Sequence, residues 1–255
     1  MSAASSRSAP PIFASIRAAP FLPPSRNPVS RSALTMHGSF ASLKNHAFVK
    51  FESDLERRVL MLLEFAPAVA QFSHQPPRMQ IRVNGRTRRY TPDFAVKWRS
   101  GVPWIIEVKP SDIAAEPEWQ ERFQAAREAS RERGYRFVVV TERHACRPGM
   151  ADVASWLEQR RRRRIESLGD SALFLNSLAV DASLEALLHL SVALDSRQRV
   201  VAAEAARLLG GGAVGAAHLD SLLCARHVVA SLDKPVSSTT LIHAYTEADD
   251  ECLFL

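Results

Sequence analysis

Apolar positions first become regular at Ser53, where Leu55, Val59, Leu62 and Leu63 follow at spacings that share one helical face, and Pro67 marks the helix end. Val69 to Phe72 then reads as a short strand, Gln75-Pro76-Pro77 as a break, and Met79 to Val83 as a second strand. Asn84-Gly85 is a turn pair suited to closing a hairpin, so the returning strand is expected to run from Arg88 through Trp98. A third strand, Trp104 to Lys109, follows the Ser100-Gly101 turn. Beyond Pro110 the period becomes helical, with Trp119, Phe123, Ala126 and Arg127 on one face and Gly134 placed to stop it. The apolar run within Tyr135 to Thr141 has the character of a strand buried on both faces. Strand, helix and buried strand in that order imply a right-handed crossover between parallel neighbours.

Ala151 to about Ser167 reads as a connecting helix that ends in five arginines, Arg160, Arg161, Arg162, Arg163 and Arg164. Three short helical patterns follow, around Leu184 to Val192, Val201 to Leu209 and Leu219 to Leu223. A strand-like pair, His227 to Leu232 and Thr239 to Tyr245, comes after them. The expected class is therefore α/β: a mixed sheet with flanking helices, then a smaller, mostly helical unit whose three helices and hairpin have the order of a winged helix. The expected division is residues 1–38 as a disordered basic arm, 39–150 as the mixed α/β domain, 151–168 as the Arg-rich helix and 169–255 as the second domain.

Composition adjusts this picture at two points. The chain has 255 residues and a net charge of +6, which suits a polyanionic partner without requiring one. The first 51 residues hold no Asp or Glu, six basic residues and six of the 15 prolines. Such a segment buries little; a basic arm on DNA, a disordered leader and a transit peptide all remain open for it. Cys146, Cys224 and Cys252 are odd in number and lack C-x-x-C spacing, which suggests neither a disulfide framework nor a zinc knuckle. No apolar run approaches the ~20 residues of a membrane span, so a soluble protein with no membrane partner is expected.

The chemistry concentrates on Asp93, Glu107 and Lys109. Side chains alternate along a strand, so Glu107 and Lys109 point the same way with Val108 turned inward. A turn over Arg99 to Val102 returns Asp93 to the same end of the hairpin. Two carboxylates at one place repel unless a cation lies between them, and Mg²⁺ or Mn²⁺ is suited to oxygen donors. Such an ion, with Lys109 beside it, fits phosphodiester hydrolysis. Glu107-Val108-Lys109 alone is weak, since an acid-x-Lys triplet arises readily by chance; the buried lead-in Trp104-Ile105-Ile106 and the upstream Tyr90-Thr91-Pro92-Asp93-Phe94 strengthen it.

These residues resemble the PD-(D/E)xK nuclease superfamily, with Pro92-Asp93 and Glu107-Val108-Lys109 as its two halves. The closer likeness is to TnsA-type endonucleases of heteromeric transposases, carried by Phe51 to Glu56, Val69 to Gln75-Pro76, Tyr90 to Phe94 and Ile106 to Lys109 in order. The resemblance implies a restriction-endonuclease-like fold, a catalytic and metal-binding role for Glu56 beside Asp93 and Glu107, and Mg²⁺ or Mn²⁺ as cofactor. It also implies double-stranded DNA at transposon ends as substrate, cut on the 5′ strands, with an integrase-like transposase subunit and an AAA+ ATPase regulator as partners in the bacterial cytoplasm, on the nucleoid when acting. Ser53 to Glu56 is equally a capping box, which competes with a catalytic Glu56, and Glu52 is the fallback carboxylate. His74 could serve as a base but reads as an ordinary surface histidine at a strand end, and Gln75 as a shaping residue. Arg160 to Arg164 could grip DNA phosphates, though five successive arginines point all round a helix. Alternatives to the transposon subunit are a stand-alone nuclease of repair or phage defence, and an inactive DNA-binding assembly protein.

Overall fold

The structure is a computed structural model that describes Leu22, residues 37–166 and residues 182–255, with the backbone alone over 163–166. Most of the basic arm, Arg163 and Arg164 as side chains, and the stretch 167–181 lie outside the described residues.

An antiparallel hairpin, β1 (Gly38–Ser42) and β2 (Ala47–Phe51), opens the described chain. Sequence reading assigned no element here, because the acid-poor composition masked the alternation of Phe40 and Ser42 against Val49 and Phe51. The hairpin is pinned by side chains: Ser42 Oγ donates to Glu64 Oε2 at 2.7 Å, and Asn45 Nδ2 donates to the Phe72 carbonyl at 2.8 Å.

Helix α1 (Asp54–Phe65) begins where expected, its N-cap Ser53 accepting from the Glu56 amide at 3.1 Å. Its apolar face is fully enclosed, with Val59, Leu60, Leu62, Leu63 and Phe65 at 0% exposure. Each such side chain is worth about 1.5–3 kcal/mol of burial, which makes α1 the spine of the core. Lys44 Nζ closes its other end on the carbonyls of Leu63 and Ala66.

The central sheet has four strands in the order β3 (Val69–His74), β6 (Phe94–Trp98), β7 (Trp104–Val108), β8 (Arg136–Val140). The first three run antiparallel, and β7 and β8 are parallel, Trp104 facing Arg136 and Val108 facing Val140. The crossover runs through α2 (Ser111–Ala114) and α3 (Pro117–Arg131). One expectation fails: the strand from Arg88 to Trp98 is two strands. Among the described residues β5 (Arg86–Tyr90) pairs only with β4 (Met79–Val83) in a separate ribbon, and β6 joins the sheet after Thr91-Pro92-Asp93. Proline has no amide to donate to a ladder and restricts the residue before it, so the pairing changes partner at Pro92.

After α4 (Glu142–Ala145), the long helix α5 (Met150–Glu166) packs Trp156 on Phe65 with ring centroids 5.5 Å apart. The remainder comprises α6 (Leu184–Arg197), β9 (Val200–Val201), α7 (Ala202–Leu208), α8 (Gly212–Ala225), β10 (Val228–Ala230), β11 (Leu241–Ala244) and α9 (Glu247–Glu251). Its strands form a sheet in the order β10-β11-β9, in which β9 is an addition to the expected hairpin. Gly215 permits the close approach of α7 and α8, since a Cβ there would lie 1.9 Å from the Ala206 carbonyl oxygen.

The two parts share one continuous apolar core. Phe254 sets its edge against Trp98 and Trp104, at 6.2 and 6.5 Å between ring centroids. Asp250, at 0% exposure, accepts from the Ala68 amide at 2.7 Å and pairs with Arg226 at 2.6 Å. Among the described residues no single helix is long and apolar enough to cross a membrane.

Candidate active site

Five chain segments deliver polar side chains to one end of the central sheet. β3 ends there at His74 and Gln75, β6 starts there after Asp93, β7 ends there at Glu107 and Lys109, β8 finishes alongside, and α1 begins there at Glu56. The register that pairs Phe94 with Ile106 brings Asp93 level with Glu107. Two short bonds fix this geometry: Asp93 Oδ2 accepts from the Val108 amide at 2.7 Å, and the Asp93 carbonyl accepts from the Gln75 amide at 2.7 Å. Gln75 adopts φ 44°, a left-handed bend that lets β3 stop and keep that bond.

Glu107 is 3% exposed and sits between two donors. The Tyr90 hydroxyl donates to Oε2 at 2.6 Å, and Lys109 Nζ stands 3.2 Å from Oε1. Lys109 itself lies over the Trp119 ring, 4.3 Å from its centroid, so α3 steadies the lysine from the other side. Burial pushes the Asp93 carboxyl well above the usual range, and the charges of Glu107 and Glu56 push it further. Glu107 is also raised, by burial first, even though Lys109 and Tyr90 favour its charged form. Tyr90 is held protonated by burial and by the neighbouring Glu107 charge.

Glu56 does two jobs that sequence reading set in competition. Its Oε1 accepts from Ser53 Oγ at 3.1 Å, and its Oε2 accepts from the Glu52 amide at 2.9 Å, which completes the helix start. Its Oε2 also meets His74 Nε2 at 3.2 Å, and its charge is felt at both Asp93 and Glu107. Burial would raise Glu56, but the His74, Glu52 and Ser53 contacts outweigh it and leave it below the ordinary glutamate range. His74 is 6% exposed and stacks obliquely on Phe94, so its reading as a surface histidine is corrected. Its partner is 18 positions away in sequence, beyond the reach of local pattern.

The donor set suits a hard cation at Asp93 and Glu107, two carboxyls raised by burial first and, for Asp93, next by the Glu107 charge, a cost that a divalent ion would relieve. Among the described residues no three His, Cys, Asp or Glu side chains are grouped closely enough to hold a metal as they stand, and Glu56 is turned to its cap and to His74.

Residues 66–142 match the family model described as TnsA-like endonuclease N terminal. Over that stretch the chain is similar to a TnsA-like endonuclease domain. The matched range holds His74, Tyr90, Asp93, Glu107 and Lys109, while Glu56 and α1 precede it. No curated protein matches the chain.

The arginine run does not present itself as a DNA grip along its whole length. Arg160 points inward from α5, its guanidinium bonded to the Cys224 carbonyl and, at 3.1 Å, to the Phe65 carbonyl. It satisfies the ends of α1 and α8 at once, so a phosphate contact by Arg160 is not available in this arrangement. Arg161 lies over Phe40 and donates to the Ala41 carbonyl at 3.1 Å, and Arg162 pairs with Glu158 in solvent. Missed by sequence reading were Tyr90 as a partner of Glu107 and Trp119 as a partner of Lys109. The first lay within what looked like a continuous strand, and the second was absorbed into the helical stripe of α3.

Proposed function

We propose that the protein is a metal-dependent DNA endonuclease that cuts the 5′ strands at transposon ends, as one subunit of a heteromeric transposase. The observation that carries this reading is the pair Asp93 and Glu107, level across the β6–β7 register and both raised by burial, with Lys109 bonded to Glu107 in a stretch similar to a TnsA-like domain. Asp93 and Glu107 would hold Mg²⁺ or Mn²⁺, whose contribution is to polarise a phosphoryl oxygen and acidify a water. Lys109 stands at the edge of the pair, partly exposed, and is the group to orient that water or to meet charge building on the phosphate. Tyr90 holds Glu107 Oε2 and thereby fixes the orientation of a carboxylate that would bind the cation. Glu56, bonded to His74, is a positioning carboxylate whose charge favours a cation at the pair.

The helix, strand, helix, helix, strand, strand order after residue 183 supports a winged-helix reading of the second part. Such a unit would serve DNA or the partner proteins, an integrase-like transposase and an AAA+ ATPase regulator, in the cytoplasm.

The test is nicking of a transposon-end substrate with Mg²⁺ or Mn²⁺, with the partner transposase supplied. Wild type is expected to cut the 5′ strands, and Asp93→Ala and Glu107→Gln to lose at least about 100-fold. Equal cutting by wild type and Asp93→Ala overturns the assignment.

A further inference from the structure

The arginine run is matched by a second concentration of basic charge. Residues 78–90, which form the β4–β5 ribbon, contain Arg78, Arg82, Arg86, Arg88 and Arg89 and no Asp or Glu, a local charge of +5 against +6 for the whole chain. All five are exposed, and among the described residues none is in an ion pair.

The ribbon is firmly mounted. Met79, Ile81 and Val83 are buried with Tyr90 in an apolar cluster that includes Phe123, Ala126 and Ala129 of α3. Its tip is a two-residue turn with Asn84 at φ 50° and Gly85 at φ 72°, and Asn84 Nδ2 donates to Glu121 Oε2 at 3.0 Å. Since side chains alternate, the face turned away from α3 carries Gln80 and Arg82 on β4, with their register partners Arg89 and Thr87 on β5. Arg82 and Arg89 are diagonal neighbours on that face, roughly 7–8 Å apart at the backbone. Two like charges at that spacing, without acidic partners, oppose folding and are relieved by a polyanion.

The position matters as much as the charge. β5 ends at Tyr90, which bonds Glu107, and Asp93 follows three residues later. From Arg89 to Asp93 is four residues, at most about 13 Å of extended chain. That is about the width of a DNA major groove, which admits a two-stranded β-ribbon.

We propose that the outward face of the β4–β5 ribbon, through Arg82 and Arg89 with Gln80 and Thr87 between them, is a duplex-DNA binding surface that seats the backbone beside Asp93 and Glu107. The site takes phosphodiester backbone, and it rests on the endonuclease reading only for which phosphate is delivered to the carboxylates.

Binding of the full chain to a fluorescent duplex of about 30 base pairs in metal-free buffer, across a salt series, tests this apart from cleavage. Arg82→Ala/Arg89→Ala is expected to bind at least tenfold more weakly, with a log–log salt slope smaller by about two. Arg82→Glu/Arg89→Glu should weaken binding further, and cooperative thermal melts no lower than that of wild type show that both variants are folded. Wild-type affinity in the ribbon variants overturns the proposal, as does loss confined to Arg161→Ala/Arg162→Ala. Displacement by polyglutamate as effective as by unlabelled duplex also overturns it, in favour of an acidic protein partner. Ribbon-dependent binding without metal-dependent nicking, the partner transposase being supplied, would sink the endonuclease reading and leave the ribbon assignment standing; nicking with ribbon-independent binding would do the reverse.

Discussion

The Tyr90 hydroxyl donates to Glu107 Oε2 at 2.6 Å, joining the last residue of β5 to the penultimate residue of β7. The bond favours the charged carboxylate that a cation would need. Tyr90→Phe is therefore expected to raise Glu107 further and to move the acidic limb of the pH–rate profile to higher pH. The loss of a donor to a buried group should also cost about 1–3 kcal/mol by chemical denaturation. A profile identical to wild type would mean that the bond is structural only.

Asp93 gives a prediction with a definite sign. Its folded pKa lies above 3.8, so the folded state keeps a proton that the unfolded state releases, and stability falls as pH rises from 3.8 through the folded value. Metal-free Asp93→Asn is expected to melt above wild type at neutral and alkaline pH, because the repelling charge is gone. In wild type, Mg²⁺ should raise the melting temperature more at higher pH, with proton release on binding. Calorimetry in buffers of differing ionisation enthalpy measures that release.

Arg160 and Arg162 are neighbours in sequence with opposite expectations. Arg160→Ala leaves the Cys224 and Phe65 carbonyls without their donor and is expected to cost about 2–3 kcal/mol. Arg162→Ala removes only an exposed pair with Glu158 and should stay within about 0.5 kcal/mol. Urea denaturation of the two variants distinguishes them.

How the sequence announced these features depended on the range of the interaction. The Ser53 cap of α1, the Asn84-Gly85 turn and the parallel step from β7 to β8 follow from local chemistry and period, and all are present. The Pro92 break was in plain view, yet period two runs through it, and only the switch of pairing partner shows that two strands are involved. His74 with Glu56, Tyr90 with Glu107 and Arg160 with Cys224 are tertiary pairs, and no spacing rule encodes them. The arginine run was expected to point all round its helix, and Arg160 does turn inward; what the sequence did not single out is the more dispersed set at residues 78–90, all five of them exposed.

Asp250 holds the Ala68 amide and the Arg226 guanidinium together, with Asp250 at 0% and Arg226 at 3% exposure. Arg226 Nε has no hydrogen-bond partner there, and the guanidinium lies 4.9 Å from the centroid of the Phe65 ring. Asp250→Ala would strand a buried cation and is expected to cost about 3–5 kcal/mol, measurable by guanidinium or thermal unfolding. Replacing both residues with apolar ones should cost much less.

The same contact sets an order of events. Ala68 and Asp250 are 182 positions apart, and Phe254 closes over Trp98 and Trp104 from 156 and 150 positions along the chain. During synthesis, a chain that has emerged through β8 still has that tryptophan pair uncovered, and it stays so until residue 254 leaves the ribosome. Sheets sealed by such distant contacts are slow to form and are exposed to aggregation while they wait. The domain thus matures only once residues 250–254 have emerged, long after the strands that they cover.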